Sequence, residues 1–201
     1  MDWLPNPPDG SLVCGGFDGS DSDDHTAIKL ETVDGRLFTP RYGPDRRPTI
    51  WNPGEWGGSI PRDEVHAAWD ELHRRFVFRR VYCDPPKWRT EIATWAALYG
   101  ADVFLEWPTY LTIPMHSALD QTVTDLATGA LKHDGCPITA LHVANARKVA
   151  RPNDRYGLAK PSPTQKIDAA VTSVICHRAA CDARATGWTA QPADNRVFCL
   201  R

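Results

Sequence analysis

The sequence predicts an α/β fold, a mixed central sheet flanked by helices, on three observations. Short apolar runs bounded by Gly, Pro and Asp open the chain and recur along it. Longer segments between them carry apolar residues at helical spacing. The order is three strands, then helix–strand twice, then helices. The chain has 201 residues, enough for one well-buried core and too few for two. A hydrophobic fraction of 42% with 24% charged residues excludes wholesale disorder. The net charge of −2 excludes a global positive field, so any nucleic-acid binding needs a local basic surface. No apolar run approaches the ~20 residues that span a bilayer, and the first twenty residues lack a secretory pattern.

Residues 1–11 are Pro-rich and without period, and read as a linker or arm. Residues 12–19 read as a buried strand ending in Asp18. Residues 25–33 form a second strand, Asp34-Gly35 a hairpin turn, and 36–42 the return strand. Residues 43–60 are a Pro-, Gly- and Trp-rich loop with a short strand at 49–51. Pro61 opens a helix whose inner face is Val65, Trp69, Leu72 and Phe76. Phe78 to Cys83 is a strand that Asp84-Pro85-Pro86 stops. Trp88, Ile92, Trp95 and Tyr99 mark the next helix, which Gly100 caps. Residues 102–107 are a strand, and Leu119, Val123, Leu126 and Ala130 are read as the inner face of a third helix. Residues 137–149 fit helix or strand, and 150–161 read as a polar loop. Ser162-Pro163-Thr164-Gln165 has the pattern of a capping box, opening a last helix with Ile167, Val171, Val174 and Ile175 inward. Residues 183–201 read as a tail.

Six cysteines, at 14, 83, 136, 176, 181 and 199, form no C-x-x-C pair. In a chain long enough to build a core without staples they read as buried thiols. Cys176, His177 and Cys181 cluster in sequence, but their spacing fits no common zinc pattern, and the thiols are taken as structural.

Three acids stand out by position. Asp18 ends the first strand, Asp84 ends the fourth, and Asp168 lies in the early turns of the last helix. Strand ends of a central sheet open onto a crevice, and a helix packed on that sheet can aim a third acid there. Each acid interrupts an apolar segment, which is costly unless the charge is paired or metal-bound. Convergence would call for a divalent cation, and oxygen ligands suit Mg²⁺ or Mn²⁺. Taken singly, each also has a structural reading: Asp18 and Asp84 as turn formers, Asp168 as a helix-start acid.

The segments Gly16-Phe17-Asp18-Gly19-Ser20 with Asp24-His25-Thr26-Ala27, Val81-Tyr82-Cys83-Asp84-Pro85, Leu131-Lys132-His133-Asp134-Gly135 with Asn145, and Lys166-Ile167-Asp168-Ala169-Ala170-Val171 occur in this order. As an ordered set over residues 12 to 180 they resemble the nuclease domain of tailed-phage terminase large subunits. The resemblance implies a ribonuclease-H-like fold over 12–182. It implies catalytic, metal-binding acids at Asp18, Asp84 and Asp168; Asp24 matches a further acid of that family and reads as a metal ligand, directly or through water, or as part of a solvated turn. It also implies two Mg²⁺ or Mn²⁺ ions and cleavage of concatemeric viral DNA during genome packaging. The implied partners are double-stranded DNA, the terminase ATPase domain, the small terminase subunit and the portal, in the host cytoplasm and with no membrane. A G-x-x-x-x-G-K-[ST] motif does not occur, so the ATPase motor is expected to lie outside this sequence.

Between 147 and 166 stand Arg147, Lys148, Arg151, Arg155, Lys160 and Lys166 against one acid, Asp154. A basic loop flanking the third acid is placed to hold phosphates; it also reads as a solvated charged loop. His133 is read as a surface histidine or as one that positions water or phosphate. Three rivals stand beside the terminase reading: another ribonuclease-H-like nuclease such as a junction resolvase, a non-catalytic docking module of the packaging machine, and an α/β protein with Cys176 and Cys181 as a redox pair.

Overall fold

The computed structural model describes residues 2–189. β1 (Leu12–Asp18), β2 (Thr26–Thr32) and β3 (Arg36–Phe38) open it as an antiparallel meander. At the turn between β2 and β3 the Gly35 N–H donates to the Thr32 carbonyl at 3.0 Å, with Gly35 at φ 82°. The expected return strand, 36–42, ends early because Pro40 has no N–H to continue the ladder. β4 (Arg41–Tyr42) instead pairs with β5 (Arg47–Pro48) as a separate ribbon, and β6 (Ile50–Trp51) rejoins β2. α1 (Arg62–Arg75), β7 (Val77–Cys83), α2 (Arg89–Tyr99) and β8 (Phe104–Glu106) follow as the spacing predicts.

The second half departs further from the sequence reading. α3 (Thr112–Thr128) forms, and Gly129 ends it in the left-handed conformation, but its buried stripe is Met115, Ala118, Leu119 and Thr122. Val123 and Leu126, expected inside, are 58% and 46% exposed. β9 (Lys132–His133) pairs parallel to β3, and α4 (Pro137–Asn145) resolves the ambiguous stretch as helix. The expected polar loop is a hairpin of β10 (Arg147–Arg151) and β11 (Arg155–Ala159), reversed at Asn153 and Asp154, both at positive φ. Asn and Asp tolerate that conformation, which is why these two residues can form the reversal. Ser162 does not cap a helix; its hydroxyl donates to the Gln165 side chain at 3.1 Å. α5 (Asp168–Ala185) starts later, with Asp168 as its first residue, and runs past residue 183, with Trp188 buried just beyond its end. Residues 190–201, including Cys199, lie outside the described residues.

The main sheet runs in the order β8-β7-β1-β2-β3-β9, with β7, β1 and β8 parallel and β2 antiparallel to β1. Alternation along β1 sorts its side chains onto two faces. Val13 and Phe17 enter the large core that α1 and α2 cover, where Phe17 meets Trp88 and Trp95 edge-on at 5.1 and 5.0 Å. Cys14 and Gly16 face α5, and Asp18 shares their face. α5 lies on β1 so closely that a Cβ on Gly16 would stand 2.7 Å from the Cys176 amide nitrogen. That approach requires glycine. The segment before β1 has no regular structure but is tied down. The Leu4 N–H donates to the Asp134 carbonyl and the Gly10 N–H to the Arg75 carbonyl.

Candidate metal centre

The acids reach one end of the sheet by three routes. Asp18 is the last residue of β1. Asp84 follows β7, and its N–H donates to the Phe17 carbonyl at 2.9 Å, which fixes the two acid-bearing backbones side by side. Asp168 begins α5, whose first turn is held by His142 of α4: its Nδ1 accepts the Ala169 N–H at 3.0 Å.

Their electrostatics show the proximity. Burial, then the charges of Asp84, Asp168 and Asp24, push Asp18 well above the usual carboxylate range, and no hydrogen bond offsets this. Burial also raises Asp84, against the Thr109 N–H that donates to its Oδ1 at 2.8 Å. Asp168 is pushed up to about 6 by burial and then by Asp24, while its own N–H, the N–H of His25 and Lys160 pull the other way. Its Oδ2 is buried without a hydrogen-bond partner. Asp24 sits at the rim. Burial pushes its carboxyl up, but Lys160 at 2.5 Å and Lys166 at 2.9 Å more than offset it and hold it low.

The oxygens of Asp18, Asp84 and Asp168 do not all come within 4.8 Å of one another among the described residues; around Asp168 the group that does is His25, His142 and Asp168. His142 is a poor ligand in that group. Its Nδ1 lone pair takes the Ala169 amide, so the neutral ring carries its hydrogen on Nε2 and has no free lone pair for an ion. Burial, then the charges of His25, Lys29 and Lys166, hold it neutral by lowering it to about 4. An all-oxygen set with an orphaned carboxylate oxygen and mutually repelling charges fits a hard divalent cation. His25 and His142 were missed as parts of this end of the fold. His25 stood in the quoted Asp24-His25 segment, whereas nothing in the spacing pointed to His142.

The basic residues divide. Arg147, Lys148, Arg151 and Arg155 lie on the hairpin; Lys160 and Lys166 are engaged with Asp24. Arg147 bonds carbonyls at the end of α4, and the Lys148 ammonium lies 3.8 Å from the Tyr156 ring centre. Arg151 lines a groove with Thr109, Tyr110 and Tyr156, between the hairpin and the start of α3. His133 is exposed, with its Nδ1 on the Gly135 N–H. Asp134, in contrast, is 3% exposed and accepts from Trp3 Nε1, Thr39 N and Cys136 N at 2.9, 2.8 and 3.0 Å. No described helix is long and apolar enough to cross a membrane.

No protein-family model matches the chain. It is similar to the gene 13 proteins of Mycobacterium phages D29 and L5, 27% identical to each over 83% of its own length. The chain spans 29% of the length of those relatives. Among solved structures it is similar to the large terminase nuclease of thermophilic phage G20c with bound magnesium (TM-score 0.62, 11% identity, 85% of this chain and 84% of that one). It is similar also to the HK97 bacteriophage large terminase (TM-score 0.63, 19% identity, 87% and 40%). A third is the Thermus phage P74-26 large terminase nuclease domain (TM-score 0.60, 11% identity, 84% and 81%). The fold of this chain is that of the large terminase nucleases, the ribonuclease-H-like mixed sheet that the resemblance implies.

Proposed function

We propose that the chain is a divalent-metal-dependent DNA endonuclease, the nuclease part of a large terminase that cuts concatemeric viral DNA during packaging. The nuclease unit begins at β1 after the arm at 1–11 and takes in the whole of α5 and Trp188, beyond the boundary at 182 that the sequence suggests. One observation carries the reading: Asp18, Asp84 and Asp168, far apart in sequence, reach one end of the sheet by separate elements, the Asp84 N–H resting on the Phe17 carbonyl, and there burial and the neighbouring acids raise Asp18. The fold shared with terminase nucleases, one of them solved with magnesium, supports it.

Asp18, on the central strand, would hold the Mg²⁺ or Mn²⁺ ions together with Asp84 and Asp168, with Asp24 at the edge. Two such ions, when bound, would supply hydroxide at neutral pH and neutralise charge on the leaving oxygen. The chain's own groups prepare that site. The Thr109 N–H orients Asp84. His142 anchors the first turn of α5 and so the aim of Asp168. Lys160 and Lys166 hold Asp24 ionised. No side-chain general base is needed, and the products carry 5′-phosphate and 3′-hydroxyl ends. Arg147, Lys148, Arg151 and Arg155 hold backbone phosphates of double-stranded DNA without reading bases; Lys160 and Lys166 contribute charge at the metal edge. The ATPase domain, the small terminase subunit and the portal are the partners, in the host cytoplasm.

The test is incubation of the purified chain with supercoiled plasmid and Mn²⁺, with and without EDTA. Nicked and linear products only in the metal lane are expected; an intact plasmid in both lanes overturns the proposal.

A further inference from the structure

A second cluster of ligating side chains lies about 13 Å along α5 from Asp168, taking 1.5 Å of rise per residue over the nine residues to His177. His177 and Cys181, four residues apart, present the same face of that helix. Asp125 of α3 meets them. His177 Nε2 stands 2.9 Å from Asp125 Oδ2 and 3.5 Å from Cys181 Sγ, and one ligand atom from each of the three lies within 4.8 Å of the others. The other ring nitrogen of His177, Nδ1, is 2.9 Å from Glu31 Oε2, and Glu31 is wholly buried on β2. Arg184 in turn bonds Glu31 and stands 4.0 Å from Cys181 Sγ.

We propose that Asp125, His177 and Cys181 form a second metal site, for a borderline dication of the zinc class, that ties α3 to α5. Oxygen, nitrogen and sulfur donors in one cluster suit Zn²⁺ and are foreign to Mg²⁺. Glu31 on Nδ1 is the carboxylate that fixes the ring and leaves Nε2 for the ion. Solvent reaches the Asp125 side of the cluster, which leaves the fourth tetrahedral position to water. Cys176, grouped with these residues by sequence alone, takes no part: its Sγ turns to the Cys14 carbonyl at 3.7 Å.

The test uses Co²⁺ as probe, on the full chain carrying Asp18→Asn so that the acid centre does not compete. One equivalent of Co²⁺ is expected to give a thiolate-to-cobalt charge-transfer band in the near ultraviolet, which added Zn²⁺ bleaches. Adding Cys181→Ser is expected to abolish the band while circular dichroism stays native. Zn²⁺ is expected to raise Tm by several degrees in the first protein and not in the second. Should Cys181→Ser fail to fold, Asp125→Asn replaces it, with weakened Co²⁺ binding and a smaller Zn²⁺ effect on Tm expected. A folded chain with no band, a band undiminished in Cys181→Ser, or binding unchanged in Asp125→Asn overturns the site. None of these outcomes depends on whether the acid centre cuts DNA.

Discussion

Gly16 lies against the backbone of Cys176: a Cβ at Gly16 would stand 2.7 Å from the Cys176 nitrogen and from the Thr172 carbonyl oxygen. Because α5 also carries Asp168, strand and helix cannot separate without moving an acid. Gly16→Ala is therefore expected to cost about 1–3 kcal/mol in urea denaturation and to lower cleavage by more than the drop in folded fraction explains.

Asp18→Asn separates stability from function. The Asp18 carboxyl is raised by burial and three neighbouring acids, so the fold disfavours its ionised form. Removing that charge is expected to raise Tm in EDTA and to lower Mn²⁺-dependent cutting more than about 100-fold, beyond the loss typical of a residue that only supports a ligand. A lower Tm in EDTA would contradict the electrostatic account.

His73 sets an acid limit away from the site. Its ring is stacked between Phe78 at 4.4 Å and Tyr99 at 3.9 Å, and its Nε2 is buried without a partner. Burial lowers it to about 4, from an ordinary value of 6.5. The neutral ring is the one the fold accepts, so this stability is present above pH 6.5 and is lost as pH falls toward 4. His73→Phe keeps the stack; its Tm, followed in EDTA, is expected to fall less than that of wild type across that window.

The meander, α1, β7, α2 and β8 were legible because each carried its own boundary, Asp34-Gly35, Pro61, Pro85-Pro86 or Gly100. Tertiary partners decided the rest. Val123 and Leu126 have helical spacing with Leu119, yet α3 turns Met115 and Ala118 to the hairpin and α5, and nothing local encodes that choice. Ser162 and Gln165 match a cap pattern but satisfy each other instead, and the start of α5 is set by His142, a residue remote in sequence. The acids were legible as strand-end and helix-start interruptions of apolar runs. The sorting of the lysines onto Asp24 was not, since it joins side chains 136 residues apart in the chain.

That sorting makes the six basic residues unequal. Arg151→Ala with Arg155→Ala is expected to flatten the slope of log K against log salt for duplex DNA, measured in Ca²⁺, by about 2, near 0.9 for each phosphate no longer neutralised. Lys160→Ala is expected to leave the slope nearly unchanged, because its charge is already engaged with Asp24.

Asp134 belongs to stability. Its carboxylate holds Trp3, Thr39 and Cys136 from the interior. Asp134→Ala strands the buried Thr39 and Cys136 amides and is expected to cost about 3 kcal/mol in urea. Cleavage per folded molecule, measured at low temperature, is expected to be unchanged.

α5 begins beside the acids and finishes at the other end of β1, where Trp188 is buried near Leu12 and Val33. A biotin or dye attached beyond Trp188 therefore anchors the molecule by its back. The sheet end that carries Asp18, Asp84 and Asp168 is left turned outward, an orientation suited to testing on a glass surface whether single duplexes are severed.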